Sequence, residues 1–180
     1  FGFQANKSTT DCIFILHSLI TKTLASKKKL YAVFLDWEKM FDKIDRIYLW
    51  QKLFSSNVSS KFLNALKAMY LVVKSVVKYK KNLSEPVTSN IGVKQGDPAS
   101  SILCLFFLND ILTSINNNVN GLLKISDIQL FLLFFADDAV AFAENPQFLQ
   151  SILNDIENYC NRWSLKLNVN KTKVMIFEQG

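Results

Sequence analysis

Residues 130–144 read LFLLFFADDAVAFAE, in which two adjacent aspartates, Asp137 and Asp138, interrupt an apolar stretch. A carboxylate buried without a partner costs several kcal/mol or takes up a proton, and two side by side repel each other as well. The stretch is physically sensible only if the pair meets a compensating positive charge or sits at a solvent-facing turn. Residues 128–135 and 139–143 are apolar and rich in β-formers, so the reading is a β-hairpin with the aspartates at its tip.

The surrounding sequence supplies partners for that hairpin. Residues 30–35, LYAVFL, form a short apolar run bounded by charges and read as a buried strand that Asp36 terminates. Residues 36–54 look helical, and a second helix is expected from Ser59 to about Leu71. Residues 72–81 and 87–94 read as a two-stranded ribbon with its turn at 82–86. Asp97-Pro98 caps a helix expected to run to about Ile115, followed by a loop at 116–121. Asn145-Pro146 starts another, whose apolar face is marked by Phe148, Leu149, Ile152, Leu153, Ile156, Tyr159, Cys160 and Trp163. Residues 174–177 are a last short strand. At the other end, Thr9, Thr10 and Asp11 offer caps for a helix carrying Ile13, Leu16, Ile20 and Leu24.

Without the first helix and the ribbon, the order is strand, helix, strand, strand, helix, strand. This is the split βαβ (ferredoxin-like) pattern of an α+β fold, an antiparallel sheet with helices packed on one face. In that topology the first strand lies beside the hairpin, so Asp36, Asp137 and Asp138 are expected at one end of the sheet.

Composition sets outer limits. The chain has 180 residues, 49% of them hydrophobic, enough for one domain or one with a small appendage. Its net charge of +6 rests on 19 Lys and 2 Arg, which suits polyanionic partners, although lysine enrichment for solubility is an ordinary alternative. Cys12, Cys104 and Cys160 are scattered and His17 is the single histidine, which argues against zinc and for reduced, buried cysteines. Asp137 and Asp138 break the longest apolar run short of a membrane span, and no membrane association is expected. The chain opens on Phe1 with a recognisable pattern at once, so it is read as a piece of a longer protein.

Three carboxylates in one place need a cation. Oxygen ligands without nearby His or Cys favour Mg²⁺, with Mn²⁺ as substitute, and phosphate oxygens of a substrate complete the coordination. Two such ions ~3.5–4 Å apart serve phosphoryl transfer. Singly, Asp36 is no more than a turn or cap residue, and an Asp-Asp pair in a turn is usually solvated. It is the combination, between the flanks LFF and AVAF, that points to a metal site.

Five ordered blocks then carry a resemblance: GFQANKSTTDCIFIL (2–16), YAVFLDWEKMFDKIDR (31–46), GVKQGDPASS (92–101), LLFFADDAVAFA (132–143) and LKLNVNKTKVMIF (165–177). Together they resemble the reverse transcriptase domain of non-LTR (LINE-type) retrotransposons. The resemblance implies a polymerase palm over residues 30–180 and part of the fingers over 1–29, with the thumb absent and the rest of a retrotransposon polyprotein in cis. It implies an RNA-directed DNA polymerase that uses an RNA template, a DNA primer, dNTPs and two Mg²⁺ ions, in the nucleus or cytoplasm.

By the same resemblance, Asp36 and Asp137 are the metal-binding aspartates, and Asp138 is the third, less stringent acidic position. Phe41 is the aromatic residue that closes on the sugar of the incoming nucleotide and rejects a 2′-hydroxyl. Gln95 and Gly96 contact template and nucleotide. Lys171, within the block 168–172, is placed to neutralise or protonate the departing pyrophosphate. Lys7 and Ser8, with Asn6 and Thr9, face the template strand, and Lys74 and Lys78, with Lys80 and Lys81, are candidates for phosphate contact. Two departures stand out: Met40 fills the usually small position before Phe41, and Ala99-Ser100-Ser101 replaces a Leu-Ser-Pro-like run. They keep a second reading open, a catalytically silent nucleic-acid-binding remnant. A different two-metal nuclease or cyclase would explain the aspartates but not Phe41 or Gln95-Gly96.

Overall fold

The structure, a computed structural model, describes residues 2, 4–115, 123–125 and 128–179. Its elements in chain order are α1 (Thr9–Ala25), β1 (Leu30–Leu35), α2 (Met40–Lys43), α3 (Arg46–Ser55), α4 (Ser60–Met69), β2 (Lys74–Ser75), β3 (Lys78–Tyr79), β4 (Asn82–Leu83), β5 (Val87–Thr88), α5 (Pro98–Leu108), α6 (Ile111–Ser114), β6 (Leu123–Ile125), β7 (Ile128–Leu130), β8 (Leu132–Phe135), β9 (Asp138–Ala143), α7 (Pro146–Trp163) and β10 (Lys173–Phe177). They fall into two compact units, residues 1–40 with 108–180, and residues 41–107.

The first unit is built on a four-stranded sheet in the order β10-β1-β9-β8, every neighbouring pair antiparallel. This is the strand order of the split βαβ pattern. β1 is an inner strand, and its two neighbours pair with both its edges. Leu30 and Ala32 join Leu133, Val140 and Phe142 in a cluster covered by Leu19 of α1. Val33, Leu35, Ala139, Ala141 and Ala143, of opposite parity, are equally buried, and α7 packs on β1 and β9. The helix of the split βαβ core thus covers one face as expected, and α1, which precedes that core, closes the other. The caps follow the physics of orphan N–H groups: Ser8 and Asp11 form a reciprocal capping box on α1, and the Asn145 side chain accepts from the Phe148 N–H on α7.

In the second unit, the helix expected over 36–54 is two helices. The first ends at Lys43, and Asp45 caps the second by accepting from the Ile47 N–H at 2.7 Å. The helix expected to reach Ile115 ends at Leu108, and α6, in the first unit, follows after a break at Asn109-Asp110; Thr113 and Ser114 hydroxyls donate to the Asp110 carbonyl there. The ribbon exists, but its turn is Lys80-Lys81 rather than 82–86. Tyr79 pairs with Asn82, and Pro86 lies in the irregular stretch between β4 and β5, where its missing N–H costs no ladder bond. Within this unit Lys52 donates to the Phe107 carbonyl at 2.6 Å, placing a buried cation at the carbonyl end of α5. The loop expected at 116–121 lies outside the described residues. No helix among the described residues is long and apolar enough to cross a membrane.

Candidate active site

Strand register brings the aspartates to one end of the sheet. Leu35 pairs with Ala139, so the next step along each strand sets Asp36 beside Asp138. Strands in register hold opposed Cα atoms about 5 Å apart. Phe135 pairs with Asp138, leaving Ala136 and Asp137 as a two-residue turn. Ala136 has φ +55°, the left-handed conformation that primed hairpin turns demand and glycine adopts at least cost. Gly2 backs this turn: a Cβ there would overlap the backbone of Ala136.

Asp36 is fastened through its backbone. Its carbonyl accepts from the Asn168 N–H at 2.8 Å, and its N–H reaches Thr172 Oγ1 at 3.4 Å. The Glu38 N–H donates to the Lys166 carbonyl, and Trp37 bridges to Leu167. The segment 166–172 is therefore stitched to 36–38, and this brings Lys171 Nζ to 3.9 Å from Asp36 Oδ1. The lysine is 70% exposed, so the pair contributes at most about 1 kcal/mol.

Electrostatics mark the third carboxylate. The Asp138 carboxyl is pushed above the usual range, first by burial and then by the charges of Asp137 and Asp36. Asp138, exposed at the start of β9, borders an apolar cleft of ≈ 160 Å³ that it shares with Cys12, Ile13, Leu16, Phe34 and Leu133. Among the described residues no group of three or more His, Cys, Asp or Glu is gathered closely enough to hold a metal alone. The donor chemistry nevertheless suits Mg²⁺, which typically takes one or two carboxylates and completes its shell with water and substrate phosphate. A cation there relieves the like-charge crowding that raises Asp138.

Phe41, Gln95 and Gly96 belong to the second unit, where the Val93 N–H donates to the Phe41 carbonyl at 2.7 Å and Gln95 Nε2 donates to Asp42 Oδ1 at 2.8 Å. The strand-to-helix segment 92–96 is thus tied to the start of α2. Gly92 is required there: its φ is +78°, and a Cβ would lie 2.5 Å from the Asp42 carbonyl oxygen. Gly96, φ +84°, has open space where a side chain would stand. An open cleft of ≈ 820 Å³ is lined by Asp42, Arg46, Lys74, Ser89, Lys94 and Gln95. Lys78 is exposed on β3. Lys7 is exposed before α1, and the hydroxyl and N–H of Ser8 serve the capping box.

One residue escaped the sequence reading. Arg46, only 8% exposed, donates to four carbonyls: Nε to Gly92 at 2.7 Å, Nη1 to Tyr70 at 3.3 Å and Ser89 at 3.0 Å, and Nη2 to Ile91 at 3.0 Å. Its guanidinium also lies 5.2 Å from the Tyr70 ring centroid. The available signal was composition: in a chain with 19 lysines, an arginine marks a position where a fork of donors is needed.

Comparison with known proteins bears on the family and the fold. A family model described as "Reverse transcriptase (RNA-dependent DNA polymerase)" matches residues 1–179. The chain is 28% identical over 167 residues to "Transposon TX1 uncharacterized 149 kDa protein" of Xenopus laevis, covering 92% of this chain and 13% of that protein. It is 26% identical over 182 residues to "Probable RNA-directed DNA polymerase from transposon BS" of Drosophila melanogaster, covering 96% and 19%. Among solved structures it resembles telomerase of Candida albicans in complex with a fragment of telomeric RNA, with TM-score 0.69 at 16% identity, over 93% of this chain and 31% of that one. Identity that low shows the fold alone. The chain spans less than a fifth of the length of these two curated relatives.

Proposed function

The chain belongs to the reverse transcriptase (RNA-dependent DNA polymerase) family, and on that premise we propose that it is the catalytic palm of a non-LTR retrotransposon polymerase. The reaction is nucleotidyl transfer: a DNA primer 3′-hydroxyl attacks the α-phosphate of a dNTP on an RNA template, and pyrophosphate leaves. The observation that carries this reading is the strand register setting Asp36 beside Asp138, with Asp137 in the adjoining turn.

Asp36 and Asp137 are the carboxylates that would hold divalent metal, with Asp138 supporting them. Bound there, Mg²⁺ supplies activation of the attacking oxygen and charge neutralisation of the leaving one. The protein's own part is positioning and charge compensation. Lys171 beside Asp36 adds a mobile positive charge for the departing pyrophosphate. Phe41 screens the sugar, and Gln95 and Gly96 face template and nucleotide, with the open side of Gly96 leaving room for close approach. Lys7, Lys74 and Lys78 contribute phosphate contacts.

The test is primer extension by the full polymerase polypeptide containing this chain, with RNA template, DNA primer, dNTPs and Mg²⁺. Asp36→Ala and Asp137→Ala are expected to lower the rate at least ~10³-fold, about 4 kcal/mol of barrier, while binding of primer–template is kept. Equal extension by wild type and Asp137→Ala overturns the assignment. Binding without extension by the wild type favours the silent remnant.

A further inference from the structure

We propose that the β3–β4 hairpin is a platform for single-stranded nucleic acid, on which Tyr79 stacks a base while Lys78, Lys80 and Lys81 meet the adjoining phosphates. The inference deepens the nucleic-acid part of the proposed function and rests on it. It adds a ring, a site and a strand state that the basic residues alone do not specify.

The hairpin tip is built against turn chemistry. Tyr79 pairs with Asn82, so Lys80-Lys81 is the whole loop, and Lys80 stands at φ +54°. Asn or Gly occupies such positions with least strain, and adjacent lysines add mutual repulsion. The turn does not account for these side chains; an external polyanion does. Residues 72–89 hold four lysines, Lys74, Lys78, Lys80 and Lys81, against one acidic residue, Glu85.

Lysines on an exposed ribbon also guard an edge against aggregation, but that role does not call for the neighbouring ring. Tyr79 is 69% exposed, and Lys80 Nζ lies 5.4 Å from its centroid. An exposed ring flanked by cations is the combination that binds single strands: every base offers a face for stacking, and the cations track the backbone. A duplex keeps its bases stacked on one another and offers the ring no free face, so the strand state follows from the aromatic residue.

Fluorescence anisotropy with labelled 12-nucleotide single-stranded RNA, the same length of single-stranded DNA, and a duplex decides the matter, using the 180-residue chain between 50 and 200 mM salt. Tyr79→Ala is expected to weaken single-strand binding about tenfold with the salt slope unchanged, and Tyr79→Phe to retain wild-type affinity. The double variant Lys80→Gln/Lys81→Gln is expected to reduce the slope of log K against log salt by about 1.4, two phosphates at about 0.7 each. Unchanged affinity in Tyr79→Ala overturns the proposal, as does equal weakening on the duplex. Tyr79-dependent binding to anionic vesicles without binding to oligonucleotides also overturns it. These variants leave Asp36 and Asp137 untouched, so the binding result is independent of whether the chain catalyses extension.

Discussion

Replacing Arg46 with methionine keeps the length and apolar bulk of the side chain and removes its fork of donors. Four carbonyls, of Tyr70, Ser89, Ile91 and Gly92, then lose a partner. At a net contribution of about 1 kcal/mol per hydrogen bond the loss is about 4 kcal/mol. Two effects reduce it. Water can reach the outer carbonyls, because Ile91 is 51% exposed and Ser89 only half-buried. The variant also escapes the burial that holds the guanidinium below its usual pKa, and replacing a buried charge by an apolar group is sometimes neutral. Here the abandoned carbonyl of Gly92 lies in a buried turn, so the loss wins, and about 2–3 kcal/mol is expected. Arg46→Lys keeps the charge but offers one point donor, and an intermediate loss of about 1–2 kcal/mol follows. Urea unfolding followed by far-ultraviolet circular dichroism gives the total. Hydrogen exchange gives the location, because the Gly92 and Val93 amides, which donate to Ile44 and Phe41, should lose protection first. A methionine variant within about 0.5 kcal/mol of wild type, or one whose Gly92 and Val93 amides keep full protection, would refute the reasoning.

Two further outcomes follow from the hairpin tip and from α7. Ala136→Gly removes left-handed strain of about 1–2 kcal/mol at the cost of about 0.5–1 kcal/mol in unfolded-chain entropy, so calorimetry should show Tm rising by about 1–4 °C, and a fall would contradict the assigned turn. Burial pushes the Cys160 thiol up to about 12, and burial with a 2.6 Å hydrogen bond to Asp110 pushes the Tyr159 phenol up as well. Both groups keep their protons in the folded state after the unfolded chain has begun to lose them at about pH 8.5–10. The unfolded state then binds fewer protons, so stability is fully present below about pH 8.5 and lost as pH rises toward 12. Urea midpoints between pH 8 and 11 should fall, less steeply in Cys160→Ala, and a flat profile would show that these groups are not held as described.

The fold was legible where periodicity was strong and local. LYAVFL is apolar throughout because β1 is central and covered on both faces, and the run in α7 shows one apolar face because the other meets water. The hairpin was legible for a different reason: two charges inside an apolar run leave a turn as the only inexpensive conformation. What failed was punctuation set by single residues. Asp45 caps the start of α3 and α6 starts anew after Asp110, breaks that the apolar pattern does not mark, so 36–54 and 98–115 read as continuous. The ribbon turn was misplaced because Pro86 and Ser84 look like turn residues, whereas the actual loop, Lys80-Lys81, has no turn signature at all. The carboxylate set was visible in sequence only because the split βαβ order fixes which strands are neighbours. Arg46 offered only the faint signal of a rare arginine in a lysine-rich chain, because its partners are backbone carbonyls, which have no sequence signature of their own.

The way Asp36 is held bears on what its carboxylate is for. Its N–H and C=O are both engaged by the segment 168–172, and the residues on its C-terminal side are bridged to 166 and 167. That bonding fixes the Cα without using either carboxylate oxygen. Lys171, its ion-pair partner among the described residues, lies at the outer limit of such a pair and is largely solvated, so it neutralises little. Asp138 is in the opposite situation, with its charge opposed by an apolar wall and by two like charges. A chain selected for stability alone would replace one of these acids by asparagine and lose the repulsion. Three carboxylates set by the backbone of β1, the turn and β9, with Lys171 as a distant partner of Asp36, are the arrangement on which the proposed metal binding rests. On the proposed function, a cation arriving with its substrate phosphates would offset that electrostatic cost.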